Sequence, residues 1–575
     1  MKFLISCCLL LSLSISFAQK TITTKFELSK GTQTPTYFEI IDWWKKLDNQ
    51  SGKIKLLTMG NTDAGYPLHL AVISNNGDYN FNSIRKNNKR IIFINNGIHP
   101  GEPDGIDASI LLARDIVVDK QKLPDNIVLC IIPVYNIGGC LNRSKNFRVD
   151  QNGPEEFGFR GNAQNLDLNR DMIKCDSKDA RAFTEIFHLL DPDVFIDNHV
   201  SNGADYQHIM TLLTTQQSKL GGVMGDYISK KFEPSIYSLM KQKGYDLIPY
   251  VNVWGNTPDK GWTEYWDSPR YASGYAALWH TFSFVPESHM LKTYEQRVKA
   301  TYTLMQSFIE FTSANSKEIK VLREQSKQLA KSAVDFPIKW SVDKSKFKEV
   351  NFFGYESGLK NSEVSGMPRL FYDKTKPYQK TVKIYNYFTP KEFVKKPSAY
   401  IIPQGWWKVI ELLQLNKIEM ISLKKDTIIE VEVYKIEDYK TSSKQYEMHH
   451  LNSEVKYTTS IKKVNFRKGD WYIPLNQVAN RFLIETLELS GEDSYFSWNF
   501  FDAILGQKEG YSDYVFEDIA ANYLKNNSAL QEKLNQKKLT DTTFAKSGRA
   551  QLNFVYQNSP WFETAFMVYP VYRVL

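Results

Sequence analysis

The sequence predicts an α/β domain followed by a mixed, mainly β region, and three observations carry that prediction. The runs Ile91-Ile92-Phe93-Ile94 and Val194-Phe195-Ile196 are continuously apolar and bounded by turn residues. That is the pattern of parallel strands covered on both faces. Residues 36–311 alternate such runs with segments of helical spacing. Beyond Asp335-Phe336-Pro337 the pattern changes to period-two alternation, the signature of half-exposed antiparallel strands.

Taken in order, the chain opens with Lys2 and an apolar stretch from Phe3 to Phe17. It ends in Ser16-Phe17-Ala18, with small residues where a signal peptidase cuts. Residues 1–18 are therefore expected to be a signal peptide, with export to the periplasm or the medium. Leu4-Ile5-Ser6-Cys7 resembles a lipoprotein box but lies too near the start to leave a proper apolar region. No later stretch reads as a transmembrane helix. Cleavage would leave Cys130, Cys140 and Cys175, an odd and sparse set that is no disulfide framework. One bridge fits the count, in any pairing.

Ile127 to Val134 reads as a buried strand. Ala180 to Leu190 has helical spacing of Phe183, Ile186, Phe187 and Leu190. Phe282 to Val285 reads as a strand running out at Glu287. From Tyr294 a long helix carries Val298, Tyr302, Met305 and Phe308 on one face, and a more polar helix follows to about Ala333. Residues 19–335 are expected to form the first domain and 336–575 an accessory domain. In the latter, Trp406 to Leu415 and Asp513 to Leu524 look helical. Thr427 to Tyr439 looks like a strand, with Ile428, Val431, Val433 and Ile436 among charges. The Trp406-Trp407 pair and the Tyr495–Phe501 aromatics fit a carbohydrate-binding surface, but aromatic side chains dominate core energetics, and the core reading is preferred.

With 42% hydrophobic and 24% charged residues, the composition is that of a globular protein. The net charge of +8 is dilute over 575 residues, with no dense Lys/Arg run. A nucleic-acid partner is therefore not expected.

Three fragments fit one chemistry: His99-Pro100-Gly101-Glu102, Asp167-Leu168-Asn169-Arg170, and His199 in Asp197-Asn198-His199. His99, Glu102 and His199 offer two nitrogens and one carboxylate oxygen, three protein ligands for one zinc ion with a fourth position open to water. With nine His in the chain, a single His-x-x-Glu is roughly an even bet from composition, so the motif alone is weak. Its place strengthens it. Both His-bearing fragments follow apolar runs, and open α/β sheets put their sites just past the carboxyl ends of strands. His208, His280 and His289 lack ligand spacing and read as satisfied polar residues. His449-His450 sits in a charged stretch and reads as exposed.

In this order, with Arg160-Gly161-Asn162 before Asp167 and Glu287 ending an apolar strand, residues 36–311 resemble the zinc carboxypeptidases related to carboxypeptidase A. That enzyme binds catalytic zinc through the same His₂Glu set. Tyr37 to Trp43 and the Gly60-Asn61-Thr62-x-x-Gly65 turn also look like that family.

The resemblance implies a mixed, largely parallel sheet flanked by helices. It implies that Asp167 orients a zinc-ligating His and that Glu287 is the general base, with Glu295 a weaker candidate. Arg160 would stabilise the oxyanion, with Arg148 close enough in sequence to exchange roles. Asn169 and Arg170 would grip the free C-terminal carboxylate of a peptide. Tyr271 would close over substrate, with Tyr265 and Tyr275 as competitors. The expected activity is zinc-dependent removal of C-terminal residues from peptides. A zinc amidase or endopeptidase acting on cell-wall or other modified peptides, and an inert peptide- or glycan-binding protein, are the alternatives.

Overall fold

The computed structural model describes residues 22–575. The stretch expected to be a signal peptide, with Cys7 and Cys8, lies outside the described residues. Nine strands build the main sheet: β1 (Ile54–Asn61), β2 (Pro67–Ser74), β3 (Arg90–Asn95), β4 (Ile127–Ile132), β5 (Val194–Asp197), β6 (His199–Ser201), β7 (Met210–Thr214), β8 (Ile248–Pro249) and β9 (Phe282–His289). Their order is β1-β2-β4-β3-β5-β9-β7-β8, with β6 paired to β9. The central run β4-β3-β5-β9 is parallel, and antiparallel neighbours flank it. The sheet is mixed with a parallel centre, as expected.

The apolar runs become the middle of this sheet because both faces are covered. Every residue of β3, β4 and β5 is buried. Successive side chains of a strand point to opposite faces. Ile92 and Ile94 accordingly join the layer formed by helices Tyr37–Gln50, Asp104–Val117 and Tyr294–Ala314. Ile91 and Phe93 join the layer formed by helices Lys178–Leu190 and Ala272–Leu278.

The helix ends follow local chemistry. Thr36 and Glu39 form a capping box at the start of Tyr37–Gln50. The Ser177 side chain accepts the Ala180 N–H at the start of Lys178–Leu190, and Asp191 ends that helix at φ +40°. Val298, Met305 and Phe308 are buried as expected. Tyr302 is half-buried, and its hydroxyl donates to Asp115 at 3.0 Å.

After helix Ser316–Ser332 the chain becomes strand-rich. Asp335–Val342 pairs with Phe388–Lys395, and Lys348–Asn361 pairs with Pro368–Tyr385 in a long hairpin. A six-stranded sheet includes Ala399–Ile402, Thr427–Thr441, Asn452–Phe466 and Tyr572–Val574. In Thr427–Thr441, Val431 and Val433 face one apolar cluster and Tyr434 and Ile436 another, so the middle of the strand is covered on both sides, while Ile428, Glu430, Glu437 and Lys440 are exposed. Four helices between Asp513 and Gln557 form a small cluster of their own, more helix than the sequence suggested.

Tyr495, Phe496, Trp498 and Phe501 are buried and Trp406 packs on Phe501, which supports the core reading; Trp407 is exposed. The layer under Lys178–Leu190 continues without a break into this region, through Phe336, Ile402, Leu413 and Phe482. Cys130, Cys140 and Cys175 are free and buried, so no bridge joins them. No helix among the described residues is long and apolar enough to cross a membrane.

Candidate active site and metal centre

His99 lies in the turn after β3, and Glu102 follows it just before helix Asp104–Val117. His199 begins β6. The three residues are buried, and one ligand atom from each lies within 4.8 Å of the others. His99 Nδ1 is 3.3 Å from Glu102 Oε1, and His199 Nδ1 is 3.0 Å from Glu102 Oε2. Both Nδ1 atoms thus turn toward one point. Each Nε2 is held by a carboxylate: His99 by Asp167 Oδ1 at 2.9 Å, His199 by Asp197 Oδ2 at 3.0 Å. A ligating imidazole needs such an acceptor on its second nitrogen to fix its tautomer and orientation. The donor set and its supports therefore fit a zinc ion.

The electrostatics are those of a compact charged knot. Burial opposes charge on Glu102, but Arg148 and His99 outweigh it and hold its carboxyl well below the usual range. Burial also opposes the His199 cation, yet Asp197 and Glu102 hold its pKa well above the ordinary value. Asp167 is held far below the carboxylate range by His99, Arg160 and Arg170, against its burial. Glu287 goes the other way. Burial is the main cause, Glu102 adds to it, and together they push its pKa up to about 8 against the pull of His199.

His99, Glu102, His199 and Glu287 line one cavity of about 540 Å³, with Tyr250, Trp254, Tyr265, Tyr271, Leu213, Ser273 and Val285 in its walls. Its size and mixed lining suit a small-molecule or chain-end site. Arg148, Arg160 and Arg170 all reach it. Arg148 donates to Glu102 Oε1 at 2.6 Å and to Val200 O at 3.2 Å. Arg160 is gripped by Asp167, with Nε at 3.0 Å and Nη2 at 2.9 Å, which leaves Nη1 beside His99 Nδ1 at 3.3 Å. Arg170 stacks on Tyr271 at 4.5 Å and donates through Nη1 to Asn169 O at 2.8 Å and through Nε to the Tyr446 hydroxyl at 2.8 Å. Asn169 Oδ1 accepts the Ala272 N–H at 3.1 Å, tying the Asp167–Arg170 turn to the Tyr271 segment.

The structure brings His99, Glu102, His199, Glu287, Arg160, Asn169, Arg170 and Tyr271 to this cavity, and sets Asp167 behind His99. It does not bring Glu295, which is on the outer face of its helix and paired with Lys299. Tyr275 is not there either; it is buried in the core with its hydroxyl on Asn416. Tyr265 and Tyr271 both line the cavity, their rings 5.3 Å apart. His449 corrects the expectation of exposure. It is half-buried and bonds Asp176 at 2.8 Å, because its turn lies against the Asp167–Asp176 stretch. His208, His280 and His289 are buried and hydrogen-bonded, as expected.

Sequence reasoning missed the role of Asp197, although residues two apart in an extended chain share a face and so signal it. It also missed Tyr250, for which no motif existed.

Residues 40–194 match the family model for zinc carboxypeptidases. His199 and Glu287 lie beyond that stretch. Among solved structures, a putative carboxypeptidase from Burkholderia mallei is 17% identical, over 49% of this chain and 70% of its own, at a TM-score of 0.37. A metallo-carboxypeptidase from Pseudomonas aeruginosa is 11% identical, over 50% and 71%, at 0.37. Carboxypeptidase A from Helicoverpa armigera is 14% identical, over 50% and 74%, at 0.37. No curated protein matches the chain.

Proposed function

We propose that the protein is a zinc-dependent metallocarboxypeptidase that hydrolyses the C-terminal bond of peptides, a reading supported by the match of residues 40–194 to the zinc carboxypeptidase family model. One observation supports this above the others. A single cavity is lined by the ligand set, by a carboxylate of raised pKa and by a fixed guanidinium.

His99, Glu102 and His199 would hold one zinc per chain. Zinc, when bound, supplies a Lewis acid that lowers the pKa of water and polarises the scissile carbonyl. Glu287 takes the proton from the attacking water and returns it to the leaving amine; its raised pKa suits both directions. Arg160, braced by Asp167, offers Nη1 to the developing oxyanion. Arg148 keeps Glu102 in place. Asn169 and Arg170 receive the substrate carboxylate, since a guanidinium fork matches it in shape and charge. Tyr271, stacked on Arg170, covers the bound chain end. Residues 1–18 support placing the enzyme in the periplasm or outside the cell.

A free-acid peptide and its C-terminal amide separate this reading from a zinc amidase or endopeptidase. The amide leaves Arg170 without its partner, and an unpaired buried charge costs several kcal/mol. The expected result is a kcat/KM at least about a hundredfold lower on the amide. Arg170→Met should weaken hydrolysis of the acid and narrow the gap. Equal rates on acid and amide would reject the carboxypeptidase reading.

A further inference from the structure

The turn Tyr446–His449 belongs to the C-terminal region, yet three of its side chains touch the stretch that carries Asp167 and Arg170. The Tyr446 hydroxyl accepts from Arg170 Nε at 2.8 Å. Glu447 Oε2 accepts the Asp167 N–H at 2.9 Å, and His449 Nε2 meets Asp176 at 2.8 Å. We propose that Tyr446 is a positioning residue for the reaction. Its hydroxyl fixes the Arg170 guanidinium in the orientation that receives the substrate carboxylate, so the C-terminal region is a working part of the site. The proposal rests on the reading of Arg170 as the carboxylate anchor.

An arginine head turns about several bonds, and ordering it on binding costs entropy. Here the ordering is already present. Nε is held by Tyr446, Nη1 by Asn169 O, and the flat face by Tyr271. Nη2 makes no hydrogen bond among the described residues and is the free edge of the fork.

Tyr446 does not line the cavity, so its effect passes through Arg170. It is itself braced. Its ring stacks on Trp498 at 6.1 Å, and Arg270 lies over both rings. Asp493 holds Arg270 at 2.7 Å. The backbone is pinned by paired hydrogen bonds between Tyr446 and His449, with Glu447 and Met448 both at positive φ. Non-glycine residues keep that conformation where surrounding contacts impose it.

The test uses the full zinc-loaded chain with Tyr446→Phe, which keeps the ring on Trp498 and removes only the hydroxyl. On a free-acid peptide, KM should rise about tenfold, the size expected of one hydrogen bond to a charged group. The kcat value should stay within about twofold, with zinc content unchanged. In an Arg170→Met background the same change should have no effect, because the group it acts through is gone. An unaltered KM for the acid overturns the proposal. So does an undiminished effect in the Arg170→Met background, which would mark a merely structural role. If Arg170→Met alone leaves the preference for acid over amide intact, the anchor reading itself has failed, and this proposal falls with it.

Discussion

Glu287 lies directly opposite His199 in the parallel pairing of β9 with β6. Neighbouring strands of a sheet lie about 4.8 Å apart, so opposed residues are close neighbours. The register of the sheet therefore sets the distance between the proposed base and a proposed metal ligand. A one-residue slip would turn Glu287 to the other face.

Glu287→Gln keeps the shape of the side chain and removes the proton acceptor. The variant should bind about one zinc and retain affinity for a product peptide, while kcat falls roughly 10²- to 10⁴-fold. Zinc content, inhibition and turnover on the same preparation check this. Activity near that of the wild type would move the base elsewhere.

The pH profile follows from the same residue. The base works only when deprotonated, so kcat/KM rises with pH through its pKa. Burial, with the neighbouring Glu102, pushes that value up to about 8, and a zinc ion held by His99, Glu102 and His199 would move the acid limb below it. Residual turnover of Glu287→Gln should lack that limb, which a rate-against-pH series would reveal.

Removal of a ligand should remove the metal. His99→Ala and His199→Ala should each bring zinc well below one per chain by elemental analysis, with activity lost. Chelation of the wild type should do the same and zinc should restore it. Full occupancy in both variants would refute the site.

Asp197→Ala tests the support behind His199. It leaves all three ligands in place, and loss of an outer partner typically weakens metal binding about 10–100-fold. Competition with a chromogenic chelator should show a shift in that range. An unchanged affinity would mean that the Asp197–His199 bond at 3.0 Å does not orient the ligand.

Asp107 gives a stability prediction away from the chemistry. Burial pushes its carboxyl up to about 7 against the hydrogen bonds from Thr34 and Tyr294. The folded state therefore keeps a proton that the unfolded state has released, and this contribution is lost as pH rises from about 4 through about 7. Asp107→Asn has no such loss. Its melting temperature relative to the wild type should climb between pH 5 and pH 8. A difference independent of pH would contradict the raised pKa.

Much of the site was legible because its chemistry is local in sequence. His99 and Glu102 share one turn, and Asp167, Asn169 and Arg170 share another. The sheet was legible from the same cause: β3, β4 and β5 are covered on both faces and so are apolar throughout. What stayed hidden depends on contacts between distant segments. Nothing near Tyr446 announces that it meets Arg170, 276 residues away in the chain. The exclusion of Tyr275 likewise came from its burial against Asn416, and a motif does not report burial. The helices after Ser528 were missed because their buried faces are narrow; in Ser528–Thr540 only Leu530 and Leu534 are buried.

The layer beneath Lys178–Leu190 runs on through Phe336, Ile402, Leu413 and Phe482. A chain shortened at residue 335 would lose the groups that Tyr275 and Trp279 meet, Asn416 and Phe482, and bare part of that apolar layer to water. Such a fragment would be a candidate for aggregation rather than a minimal enzyme. The half that carries His99, Glu102 and His199 is thus not a transferable cassette. Any search for a smaller active form has to begin by replacing the surface that the second half conceals.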